Sequence, residues 1–480
     1  MGGYMFLGTD LSFDELKKRT GVPLAIAACI AVYLIQTPPN LSAHGHTALA
    51  LFAGIFVLYL TEAIPLAITS LAVVPLAVLM GIETPRGALL GFASTSVYLI
   101  VGAFILAAAM VKSKLAERIT YQIMKWVGTS TFKITLGITM ANIVLAFLVP
   151  STTARVAILL PVCLGIIEVF GKEGRSNLSV NLLLTLCFTN ATIGAGILTA
   201  TVPNPVTIDF IAKAGGHTIT YGEWFIYGFP PAFLMTMLTW WAIQKIFPPE
   251  VKEIPGGDRY VKEKLQELGP LSINEKKSLG VFLLVVGLWV TGGWTKIDTT
   301  IACLAGIIIL FMPKLGFMTW KEAERGVSWQ VVLVCGGGVS LGEILMKTGA
   351  AKWLAMTIFD SLGLSGLSVI AMLVLLMLVI QYMHILFVGT TAMATALLPI
   401  VLGMAQVAGV NPAVFALPAG MIIGGYPLLM FYNTLPNILI YGTGVLKVGD
   451  FPKVGFILCA AACLVYTLCA FTYWEWLGLY

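Results

Sequence analysis

Two copies of one hydroxyl-rich motif lie in separate hydrophobic segments of this 480-residue chain. The first copy, residues 151–154, reads STTA, and the second copy, residues 389–392, reads GTTA. Hydroxyl groups beside the start of a helix suit an anion, because the backbone N–H groups there are free and the helix dipole is positive. The alternative is that these side chains only bond carbonyl groups inside packed helices. Because the motif occurs twice, we favour a paired anion site.

Further paired motifs accompany the two hydroxyl motifs. Residues 201–204 (TVPN) follow the first copy and residues 434–437 (TLPN) follow the second, while Lys112 and Lys347 precede them in similar contexts. The members of each pair lie between 233 and 238 residues apart, which indicates an internal repeat. Hydrophobic segments broken by Gly or Pro at matching places in two halves are typical of a transporter's substrate site. The sequence therefore predicts a membrane transporter.

The composition supports a membrane protein. Hydrophobic residues make up 58% of the chain and charged residues 11%, against about 25% charged in soluble domains. The predicted fold is an all-α polytopic membrane protein with about 11 transmembrane helices and two re-entrant hairpins in an inverted repeat. The net charge of +5 comes mostly from basic residues in loops, which we expect to set the membrane topology. We do not interpret this charge as a sign of nucleic-acid binding. The eight cysteines lie in apolar segments and predict packing residues.

The polar and basic segments predict the boundaries and the orientation. Lys17, Lys18 and Arg19 precede the first span and predict a cytoplasmic N-terminus. The same count of basic residues places the C-terminus outside, in a plasma-membrane protein without a cleavable signal. The predicted parts are an N-terminal interfacial segment (1–20), a first half (21–247) with a hairpin at 134–170, a cytoplasmic connector (248–278), and a second half (279–480) with a hairpin at 364–408.

Arg155 and His384 are the basic residues nearest the two hydroxyl motifs. Arg155 follows Ser151 by four residues, so its side chain should lean back toward the hydroxyl groups on the same helix face. An Arg at membrane depth is costly and indicates function, although an internal ion pair is the alternative. His384 precedes Gly389 by five residues, and a packing role is its alternative.

The candidate substrate-binding set combines the hydroxyl motifs, the Pro-Asn breaks and the two basic residues. No P-loop, dinucleotide fingerprint or H-E-x-x-H motif occurs, so we expect no enzyme, no metal site and no cofactor. The candidates are Ser151, Thr152, Thr153, Arg155, Thr201, Pro203, Asn204, His384, Gly389, Thr390, Thr391, Asn433, Thr434 and Asn437.

At these motifs the chain resembles the divalent anion/sodium symporter family, which includes INDY-type di- and tricarboxylate transporters. Residues 61–67 (TEAIPLA) and the glycine-rich run 336–342 carry the resemblance together with the hairpin motifs and the breaks. We expect Glu62 to cap or orient helices, and the glycine run to pack helices closely. The resemblance implies a homodimer in the lipid bilayer, with a fixed scaffold and an elevator-type transport domain that contains the hairpins and broken spans.

The tips depart from the family pattern. Family symporters resemble Ser-Asn-Thr at both tips, where the Asn amides help to build sodium sites, whereas this chain has Thr152 and Thr390. We therefore expect sodium coupling to be lost, with Arg155 and His384 supplying positive charge instead. This resembles the exchanger-like branch, in which one carboxylate of the malate, succinate, 2-oxoglutarate or citrate class is exchanged for another. The alternatives are a sodium- or proton-coupled carboxylate symporter and an inorganic oxyanion permease.

Overall fold

The computed structural model describes residues 13–128, 130–169, 175–253, 257–361, 363 and 366–479. Regular structure in these ranges is helical, apart from one isolated β-bridge between Ser130 and Glu253. Nine of the described helices are long and apolar enough to cross a membrane, and three shorter apolar helices accompany them. The predicted all-α membrane fold class is therefore confirmed.

The first half of the chain begins with α1 (Phe13–Leu34). The helices that follow are α2 (Ala43–Thr61), α3 (Leu66–Leu79), α4 (Pro85–Ala88), α5 (Thr95–Ser113), α6 (Leu115–Val127), α7 (Thr131–Leu148), α8 (Thr152–Val169), α9 (Asn177–Gly194), α10 (Pro203–Lys213) and α11 (Tyr221–Ile246).

The second half follows a connector helix, α12 (Gly257–Glu267). Its helices are α13 (Ile273–Thr295), α14 (Thr299–Ile309), α15 (Trp320–Gly326), α16 (Trp329–Lys347), α17 (Ala350–Ser361), α18 (Val369–Met383), α19 (Thr390–Val407), α20 (Pro412–Gly425), α21 (Leu435–Tyr441), α22 (Asp450–Ala470) and α23 (Tyr473–Trp476).

The two halves repeat the same order of helices. Helices α2–α11 correspond one by one to α13–α22, with first residues between 229 residues (α11 and α22) and 238 residues (α8 and α19) apart. Helices α1, α12 and α23 have no counterpart in this series. The correspondence extends the internal repeat from three motif pairs to almost the whole described chain.

Two boundaries differ from the sequence prediction. Helix α1 runs without a break through the described part of the predicted interfacial segment, while residues 1–12 lie outside the described residues. A Cβ on Gly21 would lie 2.5 Å from Thr61 Oγ1, so the helix passes close to the end of α2. Helix α13 begins before the predicted residue 279, because Ser272 and Glu275 form a capping box inside the polar connector.

The glycine-rich run of α16 is a site of close helix packing, as predicted. A Cβ on Gly337 would lie 2.1 Å from the Ser70 carbonyl oxygen of α3, and a Cβ on Gly338 would lie 2.3 Å from Thr395 of α19. A Cβ on Gly342 would meet the Phe210 ring of α10 at 2.4 Å. Helix α16 therefore packs against a first-half helix on one side and against a hairpin and a broken span on others.

The repeated lysines form equivalent ion pairs across the halves. Lys112 Nζ lies 2.5 Å from Glu322 of α15, and Lys347 Nζ lies 2.6 Å from Glu83 before α4. Their ammonium groups hold the pKa of Glu83 below its usual range and lower the pKa of Glu322 to about 2. Because exposed pairs of this kind contribute little stability, we read them as contacts that orient the ends of α5 and α16.

We expect Gly337→Ala to destabilise the protein, because the added methyl group overlaps a backbone oxygen that cannot rotate away. Overpacking of this kind costs about 1–3 kcal/mol. Thermal unfolding in detergent measures the change. Gly287→Ala is the matched control, because nothing lies within 4 Å of a Cβ at that helical position. Equal unfolding temperatures for the two variants would contradict the packing interpretation.

Candidate functional site

One cavity of about 710 Å³ lies where the two hairpin tips and the two helix breaks meet. Helices α8, α10, α19 and α21 begin in its wall or beside it, so their positive dipole ends surround the same space. The sequence predicted this meeting of repeated motifs. The predicted site residues that line the cavity are Ser151, Thr152, Thr153, Thr201, Gly389, Thr390, Thr391 and Thr434.

The two tips differ in how they cap their helices. The Ser151 hydroxyl oxygen accepts a hydrogen bond from the Ala154 N–H group at 3.2 Å, so one of the first N–H groups of α8 is used internally. At the second tip Gly389 has no side chain, and α19 begins without a side-chain cap. The second tip therefore keeps one more N–H group free of an internal side-chain bond than the first tip does.

Arg155 lies behind the first tip and does not line the cavity. Its side chain is 0% exposed. The guanidinium donates to the Asn190 side-chain oxygen at 2.6 Å, to the Val149 carbonyl at 2.9 Å and to the Ala200 carbonyl at 3.4 Å. A further bond reaches the Asn190 carbonyl at 3.3 Å. Arg155 thus joins the hairpin tip to the break between α9 and α10.

The Arg155 head, which we expected beside the tip hydroxyl groups, donates instead to backbone and amide oxygens of the tip and the break. The alternative of an ion pair is not seen either, since no carboxylate in the described ranges lies within 4.0 Å of it. Buried carbonyl groups of unwound backbone need donors, and the guanidinium supplies several in diverging directions. Sequence spacing could not show this, because residues 190 and 200 come from another helix and its break.

Asn204 and Asn437 hold the two breaks together in the same way. The Asn204 side chain donates to the carbonyls of Gly194 and Ile197 at 2.8 and 2.9 Å. The Asn437 side chain donates to the carbonyls of Pro427 and Met430 at 2.9 and 3.0 Å. In both cases the acceptors lie ten and seven residues earlier. Neither amide is part of the cavity wall, and in this structure both donate to backbone carbonyls; their role as substrate contacts stays a prediction.

The predicted site residues His384, Asn433 and Pro203 also lie outside the cavity wall. His384 is 1% exposed, and its two ring nitrogens lie 2.9 Å from the Gln381 carbonyl and 3.2 Å from the Ile423 carbonyl. Asn433 donates to the His384 carbonyl at 2.5 Å. These side chains bond the backbone behind the second tip, as Arg155 does behind the first.

Four polar residues of the cavity wall were not among the predicted site residues. They are Lys18 of α1, Glu62 at the end of α2, Thr199 in the break between α9 and α10, and Gln330 at the start of α16. Glu62 ends α2 with a positive φ of 49°, so the expected capping role is confirmed. The sequence pattern indicates only a topology role for Lys18. Its place in the wall depends on how α1 packs, which no local pattern shows.

The cavity opens toward the membrane face where α1 begins. The exposed polar residues of its wall, Lys18 and Gln330, lie at the starts of α1 and α16, and the wall also includes the turn after α2. The opposite ends, at Ser94 and Lys213, do not take part in the wall. The tips are therefore reached from one face in this conformation.

Residues 16–480 match the profile of the family described as the sodium:sulfate symporter transmembrane region, and the chain belongs to that family. The predicted resemblance to the divalent anion/sodium symporters is confirmed. This is a family of transporters, so the expectation that the chain is not an enzyme is confirmed as well.

Individual relatives agree with the family assignment. A membrane protein of Cupriavidus necator is 30% identical, with 97% of this chain and 94% of that protein aligned. The sodium-dependent dicarboxylate transporter SdcS of Staphylococcus saprophyticus is 29% identical over 92% of this chain and 88% of that protein. The crystal structure of the Alcanivorax borkumensis YdaH transporter matches with a TM-score of 0.56 over 90% of this chain and 98% of that chain. At 12% identity the last match supports the fold alone.

We expect Arg155→Ala to lower the unfolding temperature, because it leaves the oxygens of Val149, Ala200 and Asn190 without their donor. Each unsatisfied buried polar group costs about 1–3 kcal/mol. Sodium chloride should restore part of the lost stability, while choline chloride should not, since the vacated oxygens can then bind a small cation. Thermal unfolding in detergent measures both effects.

The matched control for this experiment is Arg259→Ala, which removes an exposed arginine paired with Glu263 on α12. It should change the unfolding temperature little, in either salt. An Arg155→Ala protein as stable as the wild type would show that the guanidinium bonds do not hold the tip. An equal response to sodium and choline would show that the vacated oxygens are not cation ligands.

Proposed function

We propose that the chain is a secondary transporter that exchanges one di- or tricarboxylate, of the malate, succinate, 2-oxoglutarate or citrate class, for another. Two helix starts with hydroxyl groups face one cavity, which suits a solute that carries a carboxylate at each end. A volume of about 710 Å³ lies within the ordinary range of small-molecule sites. Relatives that are named dicarboxylate transporters support the same substrate class.

The surroundings of Arg155 are the observation that carries the exchange part of the proposal. Carbonyl oxygens of unwound backbone are typical sodium ligands in secondary transporters. Behind the first tip such oxygens, from Val149 and Ala200, already accept guanidinium hydrogen bonds. A sodium ion there would lack ligands and would be repelled by the fixed positive charge. The residues behind the first tip therefore do not fit sodium.

The second tip supports the same interpretation. Both ring nitrogens of His384 face backbone carbonyl oxygens, from Gln381 and Ile423. A neutral imidazole donates from only one nitrogen, whereas a protonated imidazole donates from both. Either form of the ring donates to at least one of these carbonyl oxygens, which is then engaged and less available to a sodium ion.

The fixed cation behind the first tip, Arg155, gives a physical reason for exchange. A bound dicarboxylate neutralises charge that is otherwise uncompensated at membrane depth. The loaded carrier then crosses with a lower desolvation cost than the empty carrier. A carrier that moves well only when loaded returns only with another substrate, and this is exchange.

Two alternatives have support of their own. The name of SdcS favours a sodium-coupled carboxylate symporter. The family description names sulfate, which favours an inorganic oxyanion as the solute. Both become outcomes of the transport assay below.

We expect proteoliposomes that are preloaded with succinate to take up labelled succinate rapidly, with or without a sodium gradient. Empty vesicles should take up little, because the unloaded carrier returns poorly. Radiolabel uptake at matched membrane potential measures both. The control is competition by unlabelled malate, citrate and sulfate, which ranks the solutes.

Uptake into empty vesicles that rises steeply with an inward sodium gradient would replace exchange by symport. Stronger competition by sulfate than by any carboxylate would show that the substrate is an inorganic oxyanion and not a carboxylate.

The elevator motion is a further part of the proposal. The family resemblance assigns the hairpins and broken spans to a moving body in each subunit of a plasma-membrane homodimer. The excess of Lys and Arg in the predicted inner loops supports a cytoplasmic N-terminus and an extracellular C-terminus. On the face opposite the start of α1, Lys213 at the end of α10 forms two ion pairs. One is with Asp209 of the same helix, and the other is with Glu343 of α16. This contact joins the proposed moving body to the proposed scaffold.

We expect a short thiol cross-link between Lys213→Cys and Glu343→Cys to stop exchange, because α10 must slide past α16 in each cycle. A background without the native cysteines and a cleavable reagent allow the activity to be recovered by reduction. Succinate exchange in proteoliposomes measures the effect. The matched control is a cross-link between Glu83→Cys and Lys347→Cys, a contact within the proposed scaffold that should leave exchange intact. Full exchange by the first cross-linked protein would rule out sliding between these helices.

A further inference from the structure

We propose that Lys18 is the first contact for a carboxylate substrate on one face of the membrane only. This inference rests on the proposed function and concerns how the substrate reaches the tips. The charged residues of the cavity wall in the described ranges are Lys18 and Glu62. Apart from Glu62, the rest of the wall offers hydroxyl groups and helix starts without a charged side chain. Lys18 is therefore the cation that an approaching dianion meets.

The packing of α1 places Lys18 at the mouth of the cavity. Gly21 passes so close to α2 that a Cβ there would lie 2.5 Å from the Thr61 hydroxyl oxygen and 2.6 Å from the Ala63 methyl group. Lys18 precedes Gly21 by three residues, so both lie on the same side of α1. The lysine is exposed and lines the wall together with residues 62–66. The glycine contact therefore fixes the height of the lysine above the tips.

Neighbouring basic residues do not share this position. Lys17 and Arg19 belong to the same turn of α1, but neither lines the cavity. Successive residues on a helix point in different directions, so a step of one residue turns the side chain away from the mouth. The effect that we propose depends on position, which separates it from the general positive charge of the segment.

The internal repeat does not provide a second copy of this lysine. Helix α1 stands outside the repeat, and the helix that precedes the second half, α12, does not contribute to the cavity wall. If the two halves exchanged their conformations, the cavity would open to the opposite face of the membrane. No helix equivalent to α1 would then line its mouth. The tips are related by the repeat, but the approaches to them are not. We therefore infer a carrier with unequal apparent affinities on its two faces.

An exposed charge at a mouth acts mainly on the approach of the solute. Contacts of a single exposed charge change affinities by about two- to fivefold. They weaken as ionic strength rises, because salt screens exposed charges over about 10 Å at 0.1 M. Removal of the Lys18 charge should therefore raise the half-saturating succinate concentration on one face and leave the maximal rate unchanged. The dependence of transport on salt should be lost on that face.

The test uses proteoliposomes with one orientation of the protein, selected by protease removal of an N-terminal tag. Succinate is varied on the face where α1 begins, with saturating succinate on the other face, and the arrangement is then reversed. Lys18→Gln should raise the half-saturating concentration about two- to fivefold on the α1 face and leave the other face unchanged. Lys18→Arg should behave as the wild type, because it keeps the charge.

Arg19→Gln is the matched control, since it removes an adjacent exposed charge that does not line the cavity. It should leave both faces unchanged. Equal changes on both faces for Lys18→Gln, equal effects of Lys18→Gln and Arg19→Gln, or no effect of Lys18→Gln would overturn the proposal. Wild-type protein that moves succinate only with sodium would reject exchange and leave the role of Lys18 measurable in the same assay. Wild-type protein that moves no carboxylate would overturn both.

Discussion

The need to satisfy backbone polar groups at membrane depth is the constraint on which the rest of this structure depends. The chain breaks two spans and turns two hairpins inside its apolar region, and lipid cannot bond the N–H and C=O groups that these interruptions release. The breaks are closed by Asn204 and Asn437, each of which donates to the carbonyls ten and seven residues before it. Interrupted helices are therefore stable here because the chain brings its own donors.

The same constraint explains why the buried basic residues stand behind the tips. Arg155 and His384 face carbonyl oxygens that would otherwise lack partners. With these oxygens engaged from behind, the hydroxyl groups and the first N–H groups of α8 and α19 remain at the cavity. The charge of Arg155 thus lies behind the hydroxyl groups of the first tip, an arrangement that suits an anion without a direct ion pair.

The repeat gives the protein two related hairpin tips, but the tips and the paths that lead to them are not identical. Ser151 caps its own helix and Gly389 does not. Helix α1 adds a lysine to one approach, and the ion pairs of Lys213 lie at the opposite ends of α10 and α16. Pairs such as Lys112 with Glu322 and Lys347 with Glu83 are maintained in both halves, which suggests that the frame stays symmetric while the access paths differ.

The sequence by itself determined the class of protein, the repeat and the hydroxyl groups of the cavity. Composition and segment length follow from the bilayer, and Ser151, Thr153, Thr390 and Thr391 could be found because a repeated local motif marks both tips. The packing role of the glycine run was also predicted, since the small size of glycine acts locally.

Only the tertiary structure decided the hydrogen-bond partners of Arg155, His384, Asn204 and Asn437, residues that the sequence places at the substrate site. Their partners are backbone carbonyls, which every residue carries and no sequence pattern distinguishes. The place of Lys18 in the cavity wall likewise depends on the contact of Gly21 with the end of α2. A hydrogen-bond partner that comes from a distant break, or from a helix packed at a glycine, is set by the three-dimensional path of the chain.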